Sequence, residues 1–226
     1  MSLILKKRKA GTIYYYQKGA SPVLLLLSGT HGDEFGVINP LKQVINKYLS
    51  KLPDFIFIPE VSPSAVKKRT RRNGFKNDVN RNFFEKTKDI EAKANMEIVA
   101  RYKFKLGLTF HEDPQLDSFY LYDSEIMSSK LLHTFKAHIK EQNIGLYSGI
   151  DDANDVSLGN VLDDGYITVP AHAKKIIHGD FWDWSLLNGY VKRLLCPEIP
   201  GKLGLKNKTF LVDLIFKDLI FPLLNI

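Results

Sequence analysis

Cysteine is almost absent from this sequence of 226 residues, which contains one, Cys196. A single thiol cannot form an intramolecular disulfide, and it excludes any metal site built from several cysteines. If the chain binds a metal ion, the ligands must therefore be histidine, aspartate or glutamate. A lone free thiol is also typical of a reducing compartment, so we expect a cytoplasmic protein.

Long hydrophobic runs are also lacking. The apolar run near the N-terminus covers only residues 3–5, and basic residues follow it, which is the reverse of a signal peptide. The C-terminal apolar segment, 210–226, is shorter than the roughly 20 apolar residues of a membrane-spanning helix. Four residues also interrupt it: Asp213, Lys217, Asp218 and Pro222. We expect neither a secretory signal nor a membrane segment.

A strong excess of charge is missing as well. The chain has 32 basic and 25 acidic residues, and its formal net charge of +7 is mild for this length. Hydrophobic residues make up 44% and charged residues 25%, which is typical of a folded domain and excludes a disordered chain. No repeat or linker interrupts the composition, so we expect one domain over residues 1–226.

The pattern of apolar residues predicts alternating strands and helices. It predicts strands over 23–27, 55–58, 106–110 and 191–196. It predicts helices over 36–52, 91–102, 124–142 and 209–219, with a long polar loop over 59–84. Such alternation favours one α/β domain with a largely parallel or mixed sheet.

The first chemical signal follows the first predicted strand. His31 and Glu34 lie three residues apart in a glycine-rich turn that leads into a helix. Imidazole and carboxylate are both good zinc ligands, and open α/β sheets bind ligands at the carboxyl ends of their strands. This pair is a candidate for part of a metal site.

A second histidine, His111, follows the strand predicted over 106–110. If the two strands are close in the sheet, His31, Glu34 and His111 form a set of two histidines and one carboxylate. Three protein ligands with an open position are typical of a catalytic zinc ion. Glu112 and Asp113 are candidates to orient the histidine.

The loop between these motifs is strongly basic. Seven basic residues lie within residues 67–81, among them Arg71, Arg72 and Arg81. Arginine suits the recognition of a carboxylate or an oxyanion, but such a loop also fits a phosphate or nucleic-acid surface. Charge alone does not separate these interpretations.

Glu198 follows the strand predicted over 191–196 and lies between two prolines. A carboxylate at the same edge of the sheet as a metal site can act as general base, taking a proton from water and passing it to a leaving amine.

Together, the motifs resemble the zinc metallocarboxypeptidases of the carboxypeptidase A type. The resemblance implies a single α/β domain with a mixed, mostly parallel eight-stranded sheet flanked by helices. The blocks that carry it, in the order of that family, are His31-Gly32-Asp33-Glu34, Arg71-Arg72-Asn73, the segment from Asp78 to Phe83, His111 and Glu198-Ile199-Pro200-Gly201.

The resemblance also implies a metal and a catalytic centre. One zinc ion would be bound by His31, Glu34 and His111. Glu198 would be the general base and acid, and Arg71 would polarise the scissile carbonyl and stabilise the oxyanion.

Substrate recognition follows from the same resemblance. Asn80 and Arg81 would hold the terminal carboxylate of the substrate, while Arg72 remains a rival of Arg71. The implied reaction is hydrolysis of an amide bond next to a free carboxylate in a peptide or peptide-like substrate.

Two features of that family are not fixed by the sequence. The tyrosine that closes over the substrate has five candidates: Tyr120, Tyr122, Tyr147, Tyr166 and Tyr190. An acidic region before Glu198 would favour a basic or amine-bearing substrate, although solvated loops explain it equally well. Its acids are Asp151, Asp152, Asp155, Asp163, Asp164, Asp180 and Asp183.

Other functions compete with this one. The nearest is an N-acyl amino acid deacylase resembling aspartoacylase and succinylglutamate desuccinylase, but that branch carries a β-rich domain for which we expect no room after Glu198. A non-catalytic peptide- or nucleic-acid-binding protein would leave the histidines unexplained. We expect a small peptide or N-acyl amino acid as the partner, no nucleic acid and no membrane, and we leave the oligomeric state open.

Overall fold

The computed structural model describes residues 5–151, 159–171 and 179–226. The strands in these ranges are β1 Lys6–Ala10, β2 Ile13–Lys18, β3 Leu24–Ser28, β4 Phe55–Ile58, β5 Phe104–Asp113, β6 Ser118–Asp123, β7 Gly145–Leu146, β8 Gly149–Ile150, β9 Val161–Leu162, β10 Tyr166–Thr168 and β11 Val191–Pro200. The helices are α1 Ile38–Tyr48, α2 Pro63–Lys68, α3 Ile90–Val99, α4 Ser129–Lys140, α5 Phe181–Leu187, α6 Leu205–Ile215 and α7 Phe221–Leu224. Short 3-10 turns cover Phe35–Val37 and Val79–Arg81, and a π-helical turn, Phe216–Ile220, joins α6 to α7.

Eight strands cross the main sheet in the order β1-β2-β4-β3-β5-β11-β6-β10, and the short β7 pairs with β6. The four central strands, β4, β3, β5 and β11, are all parallel. On the two sides of this block, β2 runs antiparallel to β4 and β6 runs antiparallel to β11. This arrangement confirms the mixed, mostly parallel sheet that the motifs implied.

The sheet separates two hydrophobic cores, which explains why its central strands are apolar on both faces. Leu24 and Leu26 of β3 belong to one core, together with residues from α1, α4 and α6. Leu25 and Leu27 belong to the other core, together with residues from α3 and α5. A continuous apolar run is therefore required at β3, because neither face meets solvent.

Two predicted strands are longer than expected. The strand predicted over 106–110 spans Phe104–Asp113, and the strand predicted over 191–196 spans Val191–Pro200. The two strands pair in parallel to their ends, where Pro200 is in register with Asp113. His111 and Glu198 therefore lie within strands and not in the loops after them.

The loop predicted over 59–84 is ordered by hydrogen bonds to the start of α3. It contains α2 and the turn Val79–Arg81. The buried amide of Asn73 donates to the carboxylate of Asp89 at 2.6 Å, and the hydroxyl of Ser62 donates to Glu91 at 2.5 Å. These bonds attach the arginine-bearing loop to a helix that packs against the sheet.

Candidate metal centre

Neighbouring parallel strands bring the three predicted metal ligands together. His31 and Glu34 lie in the turn between β3 and α1, and His111 lies near the end of β5. Because Ser28 is in register with Phe110, β3 and β5 deliver both segments to the same edge of the sheet.

The ligand atoms of these three residues form a compact, buried cluster in which all lie within 4.8 Å of one another. The Glu34 carboxylate joins the two imidazoles, with Oε1 2.5 Å from His31 Nδ1 and Oε2 2.7 Å from His111 Nδ1. His31 is 3% exposed, and Glu34 and His111 are each 6% exposed. Two imidazoles and one carboxylate are a donor set that suits zinc.

Electrostatics favour a charged cluster. Burial alone would raise the pKa of Glu34, but His31 and His111 hold it well below its usual range. Burial alone would lower the pKa of His31, but Glu34 and Asp78 raise it to about 9. Because a metal ion binds only the deprotonated imidazole, metal binding must displace this proton.

Asp78 is a participant that the sequence analysis did not single out. Its Oδ1 lies 3.2 Å from His31 Nε2, and its Oδ2 lies 3.1 Å from Arg71 Nη2. A carboxylate on the second imidazole nitrogen fixes the ring orientation of a metal-binding histidine. The sequence feature that points to Asp78 is its position at the start of the motif from Asp78 to Phe83.

Glu112 and Asp113 do not orient a histidine with their carboxylates in the structure. Glu112 bonds to Lys208 at 2.6 Å and accepts the N–H of Gly36 at 2.8 Å. Asp113 accepts the hydroxyl of Tyr120 at 3.1 Å. Glu112 and Asp113 are neighbours of His111 only along the chain, whereas Asp78 reaches the other histidine, His31, from a different loop.

One cleft of about 680 Å³ opens above the cluster. The seven residues to which the resemblance gave a metal-binding, catalytic or substrate-binding role all line it: His31, Glu34, Arg71, Asn80, Arg81, His111 and Glu198. These residues come from four separate parts of the chain. The structure thus brings these seven residues to a single cavity.

Glu198 faces this cleft from β11, in register with His111 of β5. Burial, with the carboxylates of Glu34 and Asp113, raises the pKa of Glu198 well above its usual range. The thiol of Cys196 lines the same cleft, with Sγ 3.8 Å from Glu198 Oε1. The burial and the neighbouring carboxylates therefore favour the protonated form of Glu198.

The structure distinguishes the two rival arginines. Arg71 lines the cleft and pairs with Asp78. Arg72 is exposed, and its guanidinium donates to the carbonyl of Lys76 at 3.1 Å. Of these two arginines, only Arg71 lines the cleft.

Asn80 and Arg81 lie in the short turn Val79–Arg81, at the end of the basic loop. The side-chain oxygen of Asn80 accepts the N–H of Phe181 at 3.0 Å, which leaves its amide group to donate. One guanidinium nitrogen of Arg81 donates to the carbonyl of Asn80 at 2.9 Å. The turn is thus held against α5 while both side chains line the cleft.

Two of the five candidate tyrosines line the cleft, Tyr120 and Tyr122. Their hydroxyls donate to Asp113 and Asp151, at 3.1 and 2.7 Å. The hydroxyl of Tyr166 accepts a hydrogen bond from the N–H of Met127 at 3.0 Å and so stabilises the loop before α4.

Three of the candidate acids also line the cleft: Asp151, Asp180 and Asp183. Asp151 accepts hydrogen bonds from Tyr122, Gly159 and Asn160, so its carboxylate orders its own loop. Asp180 caps α5 by accepting the N–H of Asp183 at 2.7 Å. Asp152 and Asp155 lie outside the described residues.

The order of the sheet and the buried cluster at the ends of β3 and β5 define a zinc carboxypeptidase-like fold. No protein-family model and no curated protein matches the sequence. Solved structures do match, and they confirm the fold that the motifs implied.

A candidate metallopeptidase from Shewanella denitrificans OS217 has a TM-score of 0.76 and 22% identity, over 98% of this chain and 85% of that one. A metallo-carboxypeptidase from Burkholderia cenocepacia has a TM-score of 0.65 and 12% identity, over 94% and 61%. An aspartoacylase family protein from Mesorhizobium loti has a TM-score of 0.57 and 15% identity, over 90% and 60%. At these identities the likeness establishes the fold.

In the described parts of the chain, no helix is both long and apolar enough to cross a bilayer.

Proposed function

We propose that this protein is a zinc-dependent hydrolase that cleaves an amide bond next to a free carboxylate in a peptide or peptide-like substrate. We propose further that residues 1–226 act as one catalytic domain. The observation that carries the proposal is the convergence of a buried His-Glu-His cluster, two arginines and a carboxyl group with a raised pKa on one cleft.

The donor set fits one zinc ion held by His31, Glu34 and His111. The three ligand atoms are nitrogen and oxygen, they are buried, and their residues line the cleft from which a substrate would approach. When bound, zinc supplies Lewis-acid chemistry that makes water more acidic and a carbonyl more electrophilic.

Glu198 serves as the proton carrier. Its carboxylate takes a proton from the attacking water and delivers it to the nitrogen of the departing amine. The raised pKa supports this role, because the group can hold that proton between the two events.

Arg71 and Arg81 recognise negative charge at two different positions of the substrate. Arg71, tied to Asp78, stabilises the oxygen of the scissile carbonyl as negative charge develops there. Arg81 and the free amide of Asn80 bind the carboxylate of the substrate, for which a guanidinium offers two parallel hydrogen bonds.

Metal analysis combined with a hydrolysis assay tests the proposal. Protein purified without added zinc, then loaded and desalted, should hold about one zinc per chain, as expected for a site with three protein ligands. Glu34→Ala and His111→Ala should lose it. The loaded protein should cleave N-blocked dipeptides that end in a free carboxylate. A wild-type chain that cannot be loaded with zinc would overturn the proposal.

The second candidate function is an N-acyl amino acid deacylase, which the similarity to an aspartoacylase family protein favours. Both activities use the same cluster and the same proton carrier. Parallel assays with N-blocked dipeptides and with N-acetyl or N-succinyl amino acids separate them. Activity on the N-acyl amino acids alone would establish the deacylase.

A further inference from the structure

A buried ion pair lies directly behind the candidate metal centre. Lys208 of α6 is 8% exposed, and its Nζ lies 2.6 Å from Oε1 of Glu112, which is 4% exposed. The other carboxylate oxygen of Glu112 accepts the N–H of Gly36 at 2.8 Å. This pair joins three segments of the chain: the end of β5, the turn after β3 and helix α6.

Two of those segments carry candidate metal ligands. Glu112 directly follows His111, and Gly36 lies two residues after Glu34. The backbone N–H of Glu112 also points at Glu34 Oε2, at 3.4 Å. Glu112 is therefore in contact with both segments that carry candidate metal ligands.

The packing at Gly36 shows how closely the pair fits this turn. A Cβ at this position would lie 2.6 Å from Glu112 Oε1 and 2.8 Å from Lys208 Nζ. A Cβ here would force the carboxylate or the ammonium group to shift. The ion pair therefore packs directly against the backbone of this turn.

Stability alone does not account for such a pair. Burying a lysine and a glutamate costs several kcal/mol per charge, and a pair of apolar side chains often stabilises a fold as well or better. In addition, α6 is already tied to α1 by Lys47 and Asp213, at 2.6 Å.

We propose that Lys208 and Glu112 are positioning residues for the metal centre. Their ion pair holds the segments that carry Glu34 and His111 at the separation that a zinc ion requires. The inference rests on the proposed function, because it concerns the affinity of that same site for zinc. It adds a residue of α6, outside the cleft, to the determinants of metal binding.

Zinc affinity, measured by competition with a chromophoric chelator, tests this directly. Lys208→Met removes the cation, and Glu112→Gln keeps the shape and the bond from Gly36 but removes the charge. Each should weaken zinc binding about 10- to 100-fold, as is usual when a group that supports metal ligands is lost. The double variant should lose no more than the worse single variant, because the two residues act as a unit.

Asp213→Asn is the matched control, because it breaks a different ion pair of the same helix, away from the cleft. It should lower the stability of the metal-free protein yet leave zinc affinity within about threefold of the wild type. Unfolding of each metal-free variant is followed in parallel, so that folded protein is compared with folded protein.

Two results would overturn the inference. One is that folded Lys208→Met and Glu112→Gln both bind zinc as tightly as the wild type. Another is that Asp213→Asn weakens binding as much as they do. A wild type that binds no zinc would overturn the proposed function itself, and this result is distinct from the other two.

Discussion

Glu198 is in register with His111 on two adjacent parallel strands. The candidate proton carrier and a candidate metal ligand are therefore held at one level of the sheet by the backbone hydrogen bonds of β5 and β11. A catalytic group on a strand is positioned more rigidly than one on a loop. This relationship makes Glu198 the first residue to test.

Glu198→Gln removes the acid–base group and keeps the shape of the side chain. We expect zinc content to stay unchanged, while kcat falls about 10²-fold or more because no carboxylate accepts the proton of water. Zinc analysis and steady-state kinetics on the same preparation check both parts. Glu97→Gln, at an exposed position of α3, is the control and should leave both values unchanged. Equal activity of Glu198→Gln and the wild type would remove Glu198 from the mechanism.

The candidate metal cluster could be predicted because its residues lie at or just beyond the carboxyl ends of apolar strands. A continuous run such as Leu24 to Leu27 identifies a central strand, and His31 then falls at its carboxyl end. His111 was found by the same reasoning. Parallel pairing of β3 and β5 supplies the proximity that the sequence could only assume.

Asp78 and Lys208 could not be found in this way. Asp78 reaches His31 from a loop 47 residues further along the chain, and Lys208 reaches Glu112 over 96 residues. No local pattern records such contacts, because they depend on how the loops and α6 are packed. The hairpin of β1 and β2 was missed for another reason: β1 is exposed along most of its length and has no apolar face.

Arg81 is expected to determine the preference for a free carboxylate. Arg81→Gln should raise KM about 10- to 100-fold for a substrate with a free carboxylate, as expected when a charged hydrogen bond is lost. It should change KM little for the same substrate with an amidated end. Arg72→Gln removes a charge from the same loop outside the cleft and is the matched control. An unchanged KM for the carboxylate substrate would contradict the assignment.

The pair formed by His138 of α4 and Asp218 predicts a pH-dependent stability. Nδ1 of His138 lies 2.7 Å from Oδ2 of Asp218, and this hydrogen bond raises the pKa of His138 above its usual value of 6.5. A raised pKa in the folded state means that the full contribution is present below pH 6.5 and is lost as the pH rises through the folded pKa. The side chain of His138 is 42% exposed, so the contribution is at most about 1 kcal/mol.

Urea unfolding of the wild type and of Asp218→Asn between about pH 5.5 and 8.5 measures this contribution, with a chelator present to remove metal. The difference in unfolding free energy should be largest at the acid end and should shrink as the pH rises. His133→Gln, at an exposed position of the same helix, is the control and should show no such trend. A difference that grows with pH would have the wrong sign and would rule out this linkage.

Asn73 is expected to support catalysis by holding the arginine-bearing loop. Its buried amide donates to Asp89 at 2.6 Å, and its side-chain oxygen accepts the N–H of Phe75 at 2.9 Å and of Asn77 at 3.0 Å. Asn73→Ala removes the acceptor of the N–H groups of Phe75 and Asn77 and one of the donors to Asp89, which keeps its bond from Asn77, so unfolding free energy should fall by about 1–3 kcal/mol. Activity should fall further than stability explains, because Arg71 and Asp78 lose their fixed positions.

Asn95→Ala supplies the comparison for Asn73→Ala. Asn95 is also a buried asparagine, but it lies on α3 and donates to the carbonyls of Val61 and Glu91. Both variants should lose stability, measured by urea unfolding, whereas only Asn73→Ala should lower kcat/KM under conditions in which both proteins are fully folded. If the two variants lowered kcat/KM equally, the loop bonds of Asn73 would have no separate part in catalysis. The expected difference follows from the path of the chain, since Asn73 precedes Asp78 and Arg81 in the loop that lines the cleft.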